Sequence, residues 1–151
     1  MIGLISDTHG LLRPEALAAL RGASQIIHAG DVGAPEILEA LLAIAPVSAV
    51  RGNVDFGEWA QALPVTRVVE AEGALLYCLH DMEALDLDPA AAGLAAVISG
   101  HSHQPRIERR GGVLYVNPGS AGPRRFKLPV TLARLHIDGG QVEAELVTLA
   151  E

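Results

Sequence analysis

Short apolar runs recur along this chain, and five of them close on Asp, Asn or His. Runs of that length, bounded by turn-forming residues, read as buried strands. The first lies in Ile2–Gly10, where IGLIS leads into Asp7-Thr8-His9-Gly10, so Asp7 and His9 fall just past its carboxyl end. If the backbone stays extended there, the two side chains point the same way. Pro14–Leu20 reads as a short helix with proline in its first turn, Leu17 and Leu20 on one face, and Gly22 as its stop. Gln25–His28 is the next strand and closes on Ala29-Gly30-Asp31. A second helix is expected from Pro35 to about Ala45, with Ile37, Leu38, Leu41 and Leu42 on its buried stripe and Pro46 ending it. Val47–Val50 then closes on Arg51-Gly52-Asn53-Val54-Asp55. This β-α-β-α-β order predicts adjacent parallel strands joined by right-handed crossovers.

Phe56–Leu63 reads as a loop or short helix and carries the only tryptophan, Trp59. Arg67–Ala71 and Ala74–His80 read as strands joined at Glu72-Gly73, the second closing on His80-Asp81. Met82–Gly93 is acidic and Ala-rich, with Pro89 starting a helical turn. Leu94–Ser99 is another buried strand, closing on Gly100-His101-Ser102-His103. Beyond it, Arg106–Arg110 and Val113–Val116 flank Gly111-Gly112 as a tight hairpin. Asn117-Pro118-Gly119-Ser120 is a turn and Gly122–Pro129 a basic loop. Val130–Ile137 and Gln141–Leu149 form a terminal hairpin about Gly139-Gly140. No repeat, linker or low-complexity stretch interrupts this order, so the expectation is one α/β domain over residues 1–151.

Composition narrows the functions open to such a domain. Aromatic residues make up 3% of the chain, too few for the stacking platforms that bind single-stranded nucleic acid. A net charge of −7 repels nucleic acid and anionic membranes, although bound divalent cations would reverse that locally. The one cysteine, Cys78, lies in the apolar run Leu75–Leu79 and reads as a buried small hydrophobe. It permits no internal disulfide and fits a reducing compartment. The strand-like start without a basic leader, and the lack of an apolar stretch of membrane-helix length, point to a soluble cytoplasmic protein.

Seven ligand-type residues gather at the strand ends: Asp7, His9, Asp31, Asn53, His80, His101 and His103. Taken singly, each is ordinary turn or strand-end chemistry. Together they are a donor set of carboxylate, imidazole and amide, suited to borderline ions such as manganese, iron or zinc. Seven donors exceed the needs of one tetrahedral ion, which points to two ions sharing a ligand. With no CxxC, a structural zinc site is not expected.

Asp7-x-His9, Gly30-Asp31, Gly52-Asn53, the isolated His80 and Gly100-His101-Ser102-His103 together resemble the ordered blocks of the calcineurin-like metallophosphoesterases. Within that superfamily, the short length and Asn117-Pro118-Gly119-Ser120 are similar to the small YfcE-type phosphodiesterases of bacteria and archaea. The resemblance runs from Asp7 to Arg124. It implies a two-sheet α/β sandwich flanked by helices, with a dimetal site at the carboxyl ends of the strands. Residue by residue, it implies that Asp7, His9 and His103 hold one ion, that Asn53, His80 and His101 hold the other, and that Asp31 bridges them. Asp31, Asn53 and His101 are then the residues on which catalysis chiefly rests. The implied cofactor is two divalent ions, manganese foremost, with iron, zinc, nickel or magnesium as alternatives. The implied reaction is hydrolysis of a small phosphodiester by a hydroxide shared between the two ions. A phosphomonoesterase using the same site is the first alternative. A protein-binding scaffold, like the eukaryotic retromer subunit that shares this small fold, is the second. Retention of every assigned ligand favours the enzyme. Related proteins often self-associate, and Trp59 in a loop would suit a homo-oligomer contact.

Two positions depart from the family pattern. Many superfamily phosphatases carry a proton-donating histidine after the glycine-asparagine pair, where this chain has Val54. Without that acid, activated esters or diesters are the expected substrates. Asp81 stands where relatives have glycine, and reads as a loop acid in preference to a partner orienting His80. Of the remaining residues, His28 reads as a hydrogen-bonded strand-end histidine and Asp55 as support for the Asn53 loop or a cap for the next segment. Arg124 is as well explained by a solvated loop as by phosphate contact. His136 reads as structural, and Ser120 as hydrogen-bonded within its turn.

Overall fold

The computed structural model describes residues 1–150; Glu151, the last residue of the expected domain, lies outside the described residues. The first sheet contains β1 (Ile2–Ile5), β2 (Gln25–His28), β3 (Val47–Ala49), β9 (Val130–Asp138) and β10 (Gln141–Ala150), in the order β10-β9-β1-β2-β3. The second contains β4 (Thr66–Ala71), β5 (Ala74–Leu79), β6 (Ala96–Ile98), β7 (Arg106–Arg110) and β8 (Val113–Asn117), in the order β4-β5-β6-β8-β7. Each sheet has three parallel strands, β1-β2-β3 in one and β5-β6-β8 in the other, with antiparallel strands outside them.

The sheets pack face to face over alternating residues that point inward, among them Ile2, Leu4, Leu76, Cys78, Ile98 and Val116. The first sheet's outer face is covered by α1 (Pro14–Leu20) and α2 (Pro35–Leu42), which bury Ile5, Leu20, Ile26, Ile37, Leu41 and Leu132. The second sheet's outer face carries no long helix. A 3-10 turn at Met82–Ala84 and the loop after it place Met82, Leu85 and Leu87 against Tyr77, Leu79 and Val97. Helices therefore flank one side of the sandwich more fully than the other.

Helix α2 stops at Leu42, short of the expected Ala45. Pro46 disfavours a helical conformation for the residue before it, and the chain winds down through a tighter Ile44 N–H to Leu41 carbonyl bond of 2.9 Å. Leu42, the last residue of the helix, lies off the buried stripe of Ile37 and Leu41 and is 57% exposed. Trp59 lies in the short helix α3 (Glu58–Gln61), partly buried against the helix-covered core. The exposed aromatics are Phe56 and Phe126. Cys78 is buried and its thiol is pushed up to about 12 by burial, as befits a small hydrophobe. Among the described residues, no helix is long and apolar enough to cross a membrane.

The burial pattern sets unequal costs for two leucines. Leu76, fully enclosed between the sheets, should cost about 2–5 kcal/mol when replaced by alanine. Leu42→Gln should change stability by no more than about 0.5 kcal/mol. Urea unfolding of both variants checks this; equal losses would contradict the assignment.

Candidate functional site

The pairing of β1 with β2 continues past the ends of both strands. Asp7, His9 and Gly10 donate their N–H groups to the carbonyls of Gly30, Asp31 and Val32 at 3.0, 2.9 and 2.9 Å. The two loops are thereby zipped together, bringing Asp7 and His9 beside Asp31. In the second sheet, Gly100 N–H bonds the His80 carbonyl at 2.9 Å and brings the ends of β5 and β6 together. Across the sandwich, His101 N–H donates to Asp7 Oδ2 at 3.2 Å, and His80 Nδ1 lies 2.7 Å from the Ala29 carbonyl. The carboxyl ends of the parallel strands of both sheets thus meet at one place.

Asp7 and His9 do not converge through extended backbone. Their φ angles are 55° and 46°, and Asp31, His101 and His103 are also left-handed at 56°, 73° and 62°. Only two other non-glycine residues among those described share that conformation, Glu72 and Phe126. The left-handed region costs an L-residue roughly 1–2 kcal/mol, so its concentration at these five positions marks a site the fold holds under strain.

Asp7 and Asp31 each have one oxygen held by the protein and one turned toward imidazoles. Asp7 Oδ2 accepts from the Ser6 hydroxyl at 2.8 Å and from His101 N–H, while Asp31 Oδ1 accepts Val54 N–H at 3.0 Å. Asp7 Oδ1 faces His103 Nε2 at 3.5 Å, His9 Nε2 at 3.8 Å and His80 Nε2 at 3.9 Å. Asp31 Oδ2 faces His80 Nε2 at 3.2 Å and His9 Nε2 at 3.5 Å. Asp7 Oδ1, His9 Nε2 and His103 Nδ1 are buried without any hydrogen-bond partner. Such orphaned atoms are rare in native interiors and ask for a missing partner.

Two triads of donor atoms gather here, Asp7-His9-His103 and Asp7-Asp31-His80. Asn53 joins the second through a 3.0 Å contact between its Oδ1 and His80 Nε2. His101 stands at the rim: its ring centroid is 5.2 Å from that of His80, and its Nε2 is 3.8 Å from Asp81 Oδ2. With Nδ1–H donated to Ala29, neutral His80 presents a lone pair at Nε2, the form a metal ligand needs. That nitrogen faces only acceptor oxygens. Burial lowers the His80 pKa, but the hydrogen bond to Asp31 and the carbonyl of Ala29 outweigh it, so the net shift is upward. Burial would likewise raise Asp31, yet His80 and Val54 N–H hold it down to about 2. His103 is lowered, chiefly by burial.

Supporting residues lie directly behind. The Asp55 carboxylate accepts N–H groups from Gly33 (2.9 Å), Gly52 (2.8 Å) and Val32 (3.3 Å), tying the Asp31 loop to the Asn53 loop. His28 is fully buried, and its Nδ1 accepts Gly30 N–H at 3.1 Å. Its Nε2–H therefore donates to Thr8 Oγ1 at 3.0 Å, whose hydroxyl passes on to the Val32 carbonyl at 2.8 Å. Asp81 caps the 3-10 turn through Glu83 N–H at 3.0 Å and faces His101, not His80. Ser120 donates outside its turn, to the Asp7 carbonyl at 3.0 Å. Arg124 lies exposed in the 122–129 loop, and His136 is a surface residue 3.5 Å from Glu145.

Sequence reasoning missed three polar residues that shape the site. Ser6 orients Asp7, Thr8 relays His28 to the Asp31 loop, and Asn117 Nδ2 donates to the Gly100 carbonyl at 3.0 Å and Ser102 Oγ at 3.1 Å. Their signal was available: Ser6 and Thr8 are the polar residues flanking Asp7, and Asn117 is the first residue of the turn motif.

Residues 1–140 match the model of the calcineurin-like phosphoesterase superfamily domain. The probable metallophosphoesterase of Methanothermobacter thermautotrophicus is 36% identical over 159 residues, covering 97% of this chain and 91% of that protein. An archaeal phosphodiesterase of known structure superposes with a TM-score of 0.79 at 22% identity, covering 97% and 99% of the two chains. Chaetomium thermophilum Vps29 superposes with a TM-score of 0.78 at 19% identity, covering 99% and 98%. The two structural likenesses are likenesses of fold.

His28 makes a prediction of its own. Burial lowers its pKa from 6.5 to about 4, against the pull of Asp7 and Asp55. The unfolded chain takes up the proton first, so this contribution is complete above pH 6.5 and is lost as pH falls through about 4. In metal-free protein, wild type should lose up to about 3 kcal/mol more than His28→Asn across that window, as read by urea unfolding at several pH values. Parallel pH profiles would contradict it.

Proposed function

The chain belongs to the calcineurin-like phosphoesterase superfamily, and from that premise we propose that it is a metal-dependent phosphodiesterase acting on small phosphoesters. The observation that carries this reading is the pair of buried atoms without protein partners, Asp7 Oδ1 and His9 Nε2, with His103 turning Nε2 toward the first of them and His80 Nε2 facing only acceptors. Cations among them would satisfy Asp7 Oδ1, His9 Nε2 and His80 Nε2. Asp7, His9 and His103 would hold one ion, and Asn53, His80 and His101 a second. Asp31, whose Oδ2 lies between His9 and His80, would be shared. Mixed carboxylate and imidazole donors suit manganese, iron or zinc. When bound, such a pair supplies an activated water at neutral pH and neutralises the charge that develops on the phosphate oxygens.

The protein's own part is positioning. Ser6 and His101 N–H fix one oxygen of Asp7, and Val54 N–H fixes one of Asp31, so the other oxygen of each is presented in a set direction. The Val54 side chain has no proton to give, and its N–H is already committed to Asp31. Leaving groups that need no proton from the enzyme suit this arrangement, as do diesters over monoesters of poor leaving groups. The fold likeness to an archaeal phosphodiesterase agrees with that preference. The likeness to Vps29 supports a second, non-catalytic reading as a protein-binding scaffold, against which the complete donor set weighs. We also propose a cytoplasmic location, in keeping with the single buried thiol.

Hydrolysis of bis(p-nitrophenyl) phosphate beside p-nitrophenyl phosphate, with Mn²⁺, Mg²⁺ or EDTA, tests the proposal. The diester should be cleaved faster, activity should vanish in EDTA, and Asn53→Ala and His101→Ala should each lower it at least about 10-fold. Faster monoester cleavage would move the function to phosphatase. Bound ions with no hydrolysis of either ester would favour the scaffold.

A further inference from the structure

Two clefts open beside the donor cluster, and they share two lining residues, Asp81 and His101. The smaller, of about 290 Å³, reaches Asn53 and His80 and has Val65, Leu79 and Ala84 in its walls, with Arg51 and Thr66 beside them. The larger, of about 660 Å³, runs over the outer face of the second sheet past Ser102, Gln104, Arg106, Glu108, Arg110 and Tyr115. The wall between them is the His101–Asp81 pair, with 3.8 Å between Nε2 and Oδ2. A phosphomonoester has one organic arm and needs one cleft, whereas a diester has two.

The linings differ in chemistry. In the larger cleft both arginines are answered by Glu108, Arg106 at 3.2 Å and Arg110 at 3.7 Å. Asp81 and Glu83 add further negative charge, so no surplus cation is left for a second phosphate. Its remaining features are hydrogen-bonding and planar. The Gln104 side chain is exposed, and the Arg110 guanidinium lies 4.3 Å over the Tyr115 ring with its side chain 57% exposed. A guanidinium backed on one side by an aromatic ring offers its other face to a second planar group.

We infer that the two clefts seat the two arms of an unsymmetrical phosphodiester, with an uncharged nucleoside arm in the larger cleft and a small apolar arm in the other. This rests on the hydrolase reading above and names its substrate class. Water adds to phosphorus and the P–O bond to the apolar arm breaks. That arm departs as its alcohol or phenol with one of the water protons, and the nucleoside stays esterified as a monophosphate.

The test compares the p-nitrophenyl ester of thymidine 5′-phosphate with bis(p-nitrophenyl) phosphate. Wild type should show the higher kcat/KM for the thymidine ester, and Arg110→Ala should lower the ratio of the two about 5-fold. Thymidine added to the metal-free ¹⁵N-labelled protein at millimolar concentration should shift amides of residues 104–110 and 113–117. Cleavage of bis(p-nitrophenyl) phosphate with an unaltered ratio in Arg110→Ala, or shifts confined elsewhere, would overturn the inference and leave the hydrolase reading standing. Thymidine shifts in the expected strands with no ester hydrolysed under any metal would support the cleft while removing the hydrolase reading.

Discussion

Asp7 and Asp31 are buried carboxylates set side by side where the two sheets meet, and the rest of the architecture serves to keep them there. Neither position would be tolerable if both oxygens of each were unpaired, because burying a charge without partners is costly. One oxygen of each is therefore bonded to the protein, by Ser6 and His101 N–H for Asp7 and by Val54 N–H for Asp31. The other oxygen of each is left to His9, His80 and His103. Close approach of the loops makes this possible. A Cβ on Gly52 would overlap Asp31, and one on Gly100 would meet Asp7 Oδ2 at 2.7 Å. Glycine at those two positions is a packing requirement of the carboxylates in front of them.

The strain in the ligand loops has a matching source of rigidity. Five candidate ligands sit in left-handed backbone, which only a well-determined surrounding structure sustains. Part of that structure is the interleaved core of the sandwich. The rest is the polar layer directly behind the ligands, in which Asp55 gathers three N–H groups and His28 links β2 through the Thr8 hydroxyl to the Val32 carbonyl. The hydrogen bonds of Asp55 and His28 go to backbone groups and to Thr8, and they hold the loops in register.

The parallel strands, their order along the chain and the placement of ligand-type residues past their ends were legible because each run is short, apolar and closed by turn chemistry. How the ligands converge was not. Alternation along an extended strand suggested that Asp7 and His9 point together, whereas left-handed turns and cross-loop hydrogen bonds bring them to Asp31. Leu42 was misplaced because pattern alone does not show which edge of the α2 stripe faces solvent. Asp81 read correctly as a loop acid, but its neighbour is His101, a contact between two strand ends that spacing cannot reveal. Asn117 escaped notice because its partner, the Gly100 carbonyl, is 17 residues away in the chain, whereas Ser6 bonds the very next residue and could have been found.

A site whose donors come from both sheets would hold ions only when the sandwich is closed, which would couple ion binding to the fold. The sharpest test is calorimetric titration of Mn²⁺ into the metal-free protein. The account predicts two ions per chain for wild type, one for His103→Ala, and weakened binding of both for Asp31→Asn. A single ion in wild type, or two ions undiminished in both variants, would contradict it.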